Sequence, residues 1–391
     1  MNDWKSLELR DLTHFIGRGI APKYVQHSGL LLINQRCIRN GRVSFSEARM
    51  HAEAIKKPTP VKYLQKDDTV VNSTGVGTLG RVGIYRKTVK ATVDSHVTIV
   101  RANKLLNSLY LFYNLFSRQD EIESIGEGST GQTELSRHRL GDLLLKVPPI
   151  SEQKAIAEVL SSIDDKIDLL NRQNETLEAM AQTLFRQWFI EEADDSWEEK
   201  RLEEILTAVG GGTPSTKNAE YWDGKYSWTT PKDITRLGGL FMFKTEKKLT
   251  SAGLKKVSSG LLPQGTLLMT SRAPVGVLAF SAIEVAINQG YIAIFDNKGV
   301  DKVFLYMLLK LNIDIVHGYS NGSTFMEISK KAFRSISVKM PPSSTIDNYV
   351  NLVKPKFEKI RSNEESINQL SALRDILLPK LMSGEVRVKL D

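Results

Sequence analysis

One spacing constrains this chain more than any other: a segment near its middle recurs near its end, 193 residues later. Pro148-Pro149 returns as Pro341-Pro342, and the same offset carries Leu160 to Val353, Ile167 to Ile360, Leu177 to Leu370 and Leu184 to Leu377. Going backward, Trp4 falls on Trp197, Leu9 on Leu202 and Leu12 on Ile205. One offset serving both ends of a unit marks an internal duplication, here of a globular part followed by a long helix.

The helix is read from its period. Ile156, Leu160, Ile163, Ile167, Leu170, Leu177, Ala181, Leu184 and Trp188 alternate at spacings of four and three, with Asn174 the one polar residue in the row. A 3.5-residue period lays a single apolar seam along a helix and calls for a partner helix. Residues 156–188 would make a rod of roughly 50 Å at about 1.5 Å per residue. Ser151 reads as its N-cap, with Glu152 in the positive first turn. In the second copy the seam comprises Val353, Ile360, Ile367, Leu370 and Leu377. Pro355 and Pro379 replace Ser162 and Arg186 there. Because proline removes a helix hydrogen bond and crowds the preceding turn, the second helix is expected to start or kink near Pro355, to end by residue 378 and to be the shorter. A long amphipathic helix alone would mean only a dimerisation device; two in tandem repeats mean more.

With 391 residues and 41% hydrophobic content the chain can build two cores. The fold class read from this is α+β: two domains of mainly β character with added helices, joined by two long antiparallel coiled-coil helices in a pseudo-two-fold repeat. The boundaries are 1–148, 149–193, 194–341 and 342–391. Short β runs such as Leu30–Ile33 and Val82–Tyr85, separated by Gly, Asn and Asp, carry the β assignment. A lone cysteine, Cys37, rules out an internal disulfide framework and argues against a zinc cage. The charged N-terminal residues and the lack of a long apolar run lead to the expectation of a cytoplasmic protein with no membrane partner.

Charge is unevenly placed. Residues 1–150 carry a net +8 and residues 196–342 a net +6, whereas residues 151–195 carry −7. Basic globular parts can attract a polyanion that an acidic rod would avoid, although such charge also serves solubility.

Gly75, Gly77 and Gly80 satisfy G-x-G-x-x-G, but the residues after them are strand-like, so a glycine-rich hairpin turn is expected instead of a dinucleotide site. Asp164, Asp165 and Asp168 lie on the outer side of the seam and read as solvent-facing acids. The six histidines show no metal-ligand spacing, and Ser151 and Ser271 lie in no nucleophile elbow. No catalytic residue and no metal ligand is assigned. What remains are polar and basic residues in glycine-rich loops. In the first copy they are Arg18, Lys23, Gln35, Arg36, Arg42, Ser73, Thr74 and Arg81. In the second they are Thr213, Ser215, Lys217, Tyr221, Trp228, Lys232, Ser271, Arg272, Asn288 and Gln289. Arginine reads guanine and glutamine or asparagine reads adenine, while Ser, Thr and Lys more often hold phosphate. Each is equally at home as a turn residue or a solvated charge.

The stretch PPISEQKAIAEVLSSIDDKIDLLNRQNETLEAMAQTLFRQWF, the later LLPKLMSGEV, the loop GGGTPSTKNAEYW and the repeated GST segments of residues 128–136 and 322–329 together resemble the specificity subunits of type I restriction-modification systems. That resemblance covers essentially the whole chain. It implies two target-recognition domains, each reading one half of a split double-stranded DNA target, with the helix pair as spacer. It also implies a non-enzymatic chain without cofactors of its own. Methylation would reside in modification subunits that bind S-adenosylmethionine, two per chain, and ATP- and Mg-dependent cleavage in restriction subunits. The competing reading is a non-catalytic adaptor whose basic charge is incidental; it predicts little sequence preference and a weak salt dependence on DNA.

Overall fold

The computed structural model describes residues 4–128, 133–296, 298–321 and 326–389. The chain divides into two compact units, Met1–Lys166 with Leu370–Asp391, and Ile167–Gln369. The GST loops at 129–132 and 322–325 lie outside the described residues.

The first unit is built on a six-stranded sheet. Its order is Thr13–Arg18, Val97–Ala102, Asp68–Asn72, Val82–Tyr85, Gly41–Val43, Ile38–Arg39. The central strand Asp68–Asn72 is buried at every position, consistent with its β-branched core. A four-stranded sheet, Ala91–Val93, Leu30–Ile33, Arg49–His51 and Tyr24–Val25, packs beside it. The helix Ser108–Phe116, capped by the Asn107 side chain on the Leu109 and Tyr110 amides, supplies Tyr110, Leu111, Phe112 and Tyr113 to the core. The second unit repeats the plan with a five-stranded sheet around Leu267–Thr270 and Tyr291–Asp296, a three-stranded sheet around Trp222–Thr229, and the helix Lys302–Leu311. In each copy the opening strand pairs antiparallel with the strand that leads into a proline pair: Lys5–Glu8 with Leu144–Val147, and Glu198–Arg201 with Ser337–Met340.

Two long helices follow those proline pairs, Ile150–Arg186 and Ser343–Ser383. The second is the longer, 41 residues against 37, and runs unbroken through both prolines, so the expectation of a late start, an early end and a shorter helix is wrong. Pro355 and Pro379 are exposed, so carbonyls freed by the missing N–H groups can be hydrated. Val353, Phe357 and Ile360 on the opposite side remain buried, so packing carries the helix through the defect. Ser151 is not the cap either. The helix already includes Ile150, and the Gln153 amide donates to the Pro149 carbonyl, so the Pro pair sets its entry.

Most of the seam is buried: Ile156, Leu160, Ile163, Ile167, Leu170 and Ala181 on the first helix, Val353 and Ile360 on the second. Asn174, Leu177, Leu184, Trp188, Ile367, Leu370 and Leu377 are half-buried. Within the first unit, Ile156 and Leu160 share a core with Leu378, Leu381 and Met382. Within the second, Ala181 and Phe185 pack with Tyr349, Val353 and Phe357, so past Asn174 the buried face swings from Leu184 to Phe185 to meet Phe304 and Tyr349. Asn174 Oδ1 accepts from the almost fully buried Asn363 Nδ2 at 2.8 Å, a polar pair of the kind that fixes register between helices. Asp164 does not face solvent as expected. It accepts from Tyr113 at 2.7 Å and from Arg374 at 2.9 Å, because its turn of helix lies under the helix Ser108–Phe116.

Candidate nucleic-acid interface

The glycines at 75, 77 and 80 form a turn between the antiparallel strands Asp68–Asn72 and Val82–Tyr85. All three have φ between 69° and 101°, the region glycine tolerates without strain, and no helix starts there. Around that turn the structure gathers several of the residues expected to bind. Asn72 Nδ2 donates to the Gln35 carbonyl at 3.0 Å, and Gly75, having no side chain, leaves room for the Gln35 amide. Thr74 Oγ1 lies 2.7 Å from His96 Nδ1, and Arg81 Nη2 donates to the Gly77 carbonyl at 2.6 Å. Arg36 is exposed beside Gln35. Val76 stands at the tip, 84% exposed.

Ser73 has a different part. It is fully buried, shares a 2.5 Å hydrogen bond with Thr98, donates its amide to the His96 carbonyl and accepts at its own carbonyl from the Leu135 amide. It therefore holds the rim together instead of presenting its hydroxyl. Arg18 reaches the same corner, donating to the Leu135 carbonyl at 2.9 Å and pairing with Glu134 at 2.5 Å. Lys23 and Arg42 are carried on other elements, next to the edge strand Tyr24–Val25 and opposite Ile84. Beneath the rim, burial pushes the Asp94 carboxyl above its usual range against the opposing pull of the His96 backbone donor.

The second unit builds the same corner with other side chains. Ser271, buried, donates its amide to the Gly290 carbonyl and accepts from the Ile328 amide, as Ser73 does with His96 and Leu135. The next residue is Thr74 in one copy and Arg272 in the other, bridged to Glu134 and Glu327. Arg272 is half-exposed and pairs with Glu327 at 3.1 Å. Thr213 donates to Gln289 Oε1 at 2.5 Å, and Asn288 Oδ1 accepts from the Gly290 amide at 2.8 Å, so these three stand together. Lys217 is exposed on the loop that precedes them, and Tyr221 is half-buried. Trp228 is core: it is 3% exposed, donates to the Gly212 carbonyl and meets Trp222 edge-on at 5.0 Å. The Ser215 carbonyl accepts from Trp222, and Lys232 pairs with Glu246 at 3.1 Å. Sequence reasoning passed over His96 and Val76. The signal available for His96 was alignment, since the segment 91–101 containing it answers the segment 285–295 containing Asn288 and Gln289.

No helix among the described residues is long and apolar enough to cross a membrane. Comparison with known proteins agrees with the duplicated corner. The family model for the type I restriction modification DNA specificity domain matches twice, over residues 1–179 and 194–372. The MjaIX specificity subunit of Methanocaldococcus jannaschii is 31% identical over 48% of this chain and 44% of its own length. The HindI specificity subunit of Haemophilus influenzae is 21% identical over 99% of this chain and all of its own. Among solved structures, the S subunit of a type I restriction-modification system from M. genitalium superposes with a TM-score of 0.59 at 18% identity, covering 100% of this chain and 97% of that one, a likeness of fold. Carrying the specificity domain once in each half, this chain belongs to the type I restriction-modification DNA specificity family.

Proposed function

We propose that the two units read different halves of a bipartite, asymmetric duplex DNA target, each with the loop rim around its buried serine. The observation that carries this is the pairing of Ser73 with Ser271: identical backbone bonds behind them, and different side chains, Thr74 and Arg272, in front. A scaffold duplicated with altered loop chemistry suits two recognition surfaces that see different bases. The long helices act as an antiparallel coiled coil whose length sets the gap between half-sites and whose exposed face docks modification subunits, two per chain, with restriction subunits joining that complex in the cytoplasm. The chain supplies address and no chemistry. S-adenosylmethionine, ATP and Mg belong to the partners.

Co-expression with a modification subunit encoded beside it, followed by genome-wide mapping of N6-methyladenine, tests the reading. The expected result is one split motif with a fixed gap that vanishes when this chain is omitted; methylation independent of the chain overturns it. Removing one heptad from both helices should change the tolerated gap, and an unchanged gap removes the ruler from the proposal.

A further inference from the structure

Beside the rim of the first unit lies an open cleft of about 320 Å³ that none of the residues above occupies. Arg10, His14, Arg137 and His138 wall it, and Phe15 and Ile16 floor it. Among the described residues, none that lines it is a carboxylate. Arg10 is held by Glu8 at 2.9 Å and by Asp142. Arg137 and both imidazoles have no ion-pair partner among the described residues and are exposed. The cleft exists because residue 141 is glycine: a side chain there would meet Arg10 and Ile16 at 3.5–3.8 Å and grow into the space. The second copy shows that outcome. At the position 193 residues on stands Arg334, whose guanidinium crosses to donate to the Ala208 carbonyl, and the counterparts of Arg10 and His14 are Glu203 and Thr207.

The cleft is joined to the rim through the backbone. The helix Arg137–Gly141 begins two residues after Leu135, the residue that binds Ser73, and His14 shares its strand Thr13–Arg18 with Arg18, which binds the Leu135 carbonyl. We infer that this cleft takes a backbone phosphate of the duplex flanking the half-site read by the first unit, an asymmetry between the halves that rests on the DNA-reading function proposed above. The guanidinium of Arg137, with no acid paired to it among the described residues, beside imidazole N–H donors suits a phosphodiester. Such a contact adds affinity and register without sequence information.

The test is duplex DNA binding by the full chain, followed by fluorescence anisotropy with a random-sequence duplex across 50–200 mM KCl. Two variants are compared with the natural chain: Arg137→Ala with His138→Ala, which removes surface donors, and Gly141→Leu, which fills the space without charge. Each phosphate contact contributes about 0.9 to the slope of log K against log salt, so both variants should bind roughly tenfold more weakly with a slope shallower by about 1. If the natural chain shows a steep slope and both variants superimpose on it, the cleft assignment falls and the DNA-reading function stands. If the natural chain shows no salt-dependent binding, both fall. If inorganic phosphate raises the melting temperature of the natural chain but not of Gly141→Leu while the DNA slopes coincide, the site serves free phosphate and the inference is overturned.

Discussion

In the first unit the phenol of Tyr113 donates to Asp164 at 2.7 Å; in the second, Tyr306, its counterpart 193 residues on, donates to Glu178 at 2.6 Å. Both acceptors sit on the first long helix and both are flanked by a cation, Arg374 in one case and Lys310 in the other. Yet the acids are not counterparts of one another. The offset carries Asp164 to Phe357, which meets the Tyr306 ring edge-on at 5.6 Å, and carries Glu178 to Ser371. Burial, reinforced by the nearby carboxylate, pushes both phenols well above their ordinary range. A buried phenol must find an acceptor, and duplication kept that demand while letting the acceptor move from one turn of helix to another. What the repeat preserves is the need, and the answer to it is local.

The largest way to break this equivalence is Asp164→Ala. It leaves the Tyr113 hydroxyl without its acceptor and takes one of two carboxylate partners from Arg374, whose side chain is only 14% exposed and which keeps Asp375, and should cost about 3–4 kcal/mol in urea unfolding. Glu178→Ala should cost about 2–3 kcal/mol, because the more exposed Lys310 can turn to water; equal losses would show that cation burial does not set the difference. Glu364 sharpens the contrast, since the position 193 residues earlier is Asn171. Its carboxylate accepts from the Leu240 and Phe241 amides at 2.7 and 2.8 Å, but burial outweighs those bonds and its pKa is pushed up to about 6. The folded state therefore binds its proton more readily than the unfolded chain. Stability from this group is fullest below about 4.5 and falls as pH rises to about 6, a loss of about 2 kcal/mol. Unfolding free energies measured from pH 4 to 7 should show that descent in the natural chain and a flatter profile in Glu364→Gln. Smallest are Tyr113→Phe and Tyr306→Phe, each expected to cost about 1 kcal/mol by thermal unfolding, since each acid keeps its cation. A marked inequality would mean that the two phenols are not doing the same job.

Periodicity in the sequence was enough to place the seam as far as Asn174, the strands Leu30–Ile33 and Val82–Tyr85, and the hairpin character of the glycine turn. These are signals that lie within a few residues of one another. It misled at Pro355 and Pro379, where propensity argued for a break but burial of neighbours on the opposite face decided. Asn363 escaped notice because its partner Asn174 is 189 residues away and off the repeat offset. At the rim, residue type named Ser73, Ser271 and Trp228 as polar or aromatic candidates, but only the fold shows that both serines are buried, with the Ser73 hydroxyl on Thr98, and that the Trp228 indole donates to the Gly212 carbonyl. The cleft under Gly141 left no trace in composition, because it depends on a side chain that is missing.

The last turns of the chain return to its beginning. Trp4 Nε1 donates to Glu152 at 3.3 Å, and Arg387 closes on the same carboxylate at 2.7 Å and stacks over the Trp4 ring. Leu378, Leu381 and Met382 complete the core around Ile156 and Leu160. In terms of synthesis, this reverses the order in which the protein can mature. The unit Ile167–Gln369 is one uninterrupted stretch that can close as soon as it leaves the ribosome, whereas the unit translated first waits for Leu370–Asp391. A chain cut short by a few tens of residues would thus lose the half made earliest and keep the half made later.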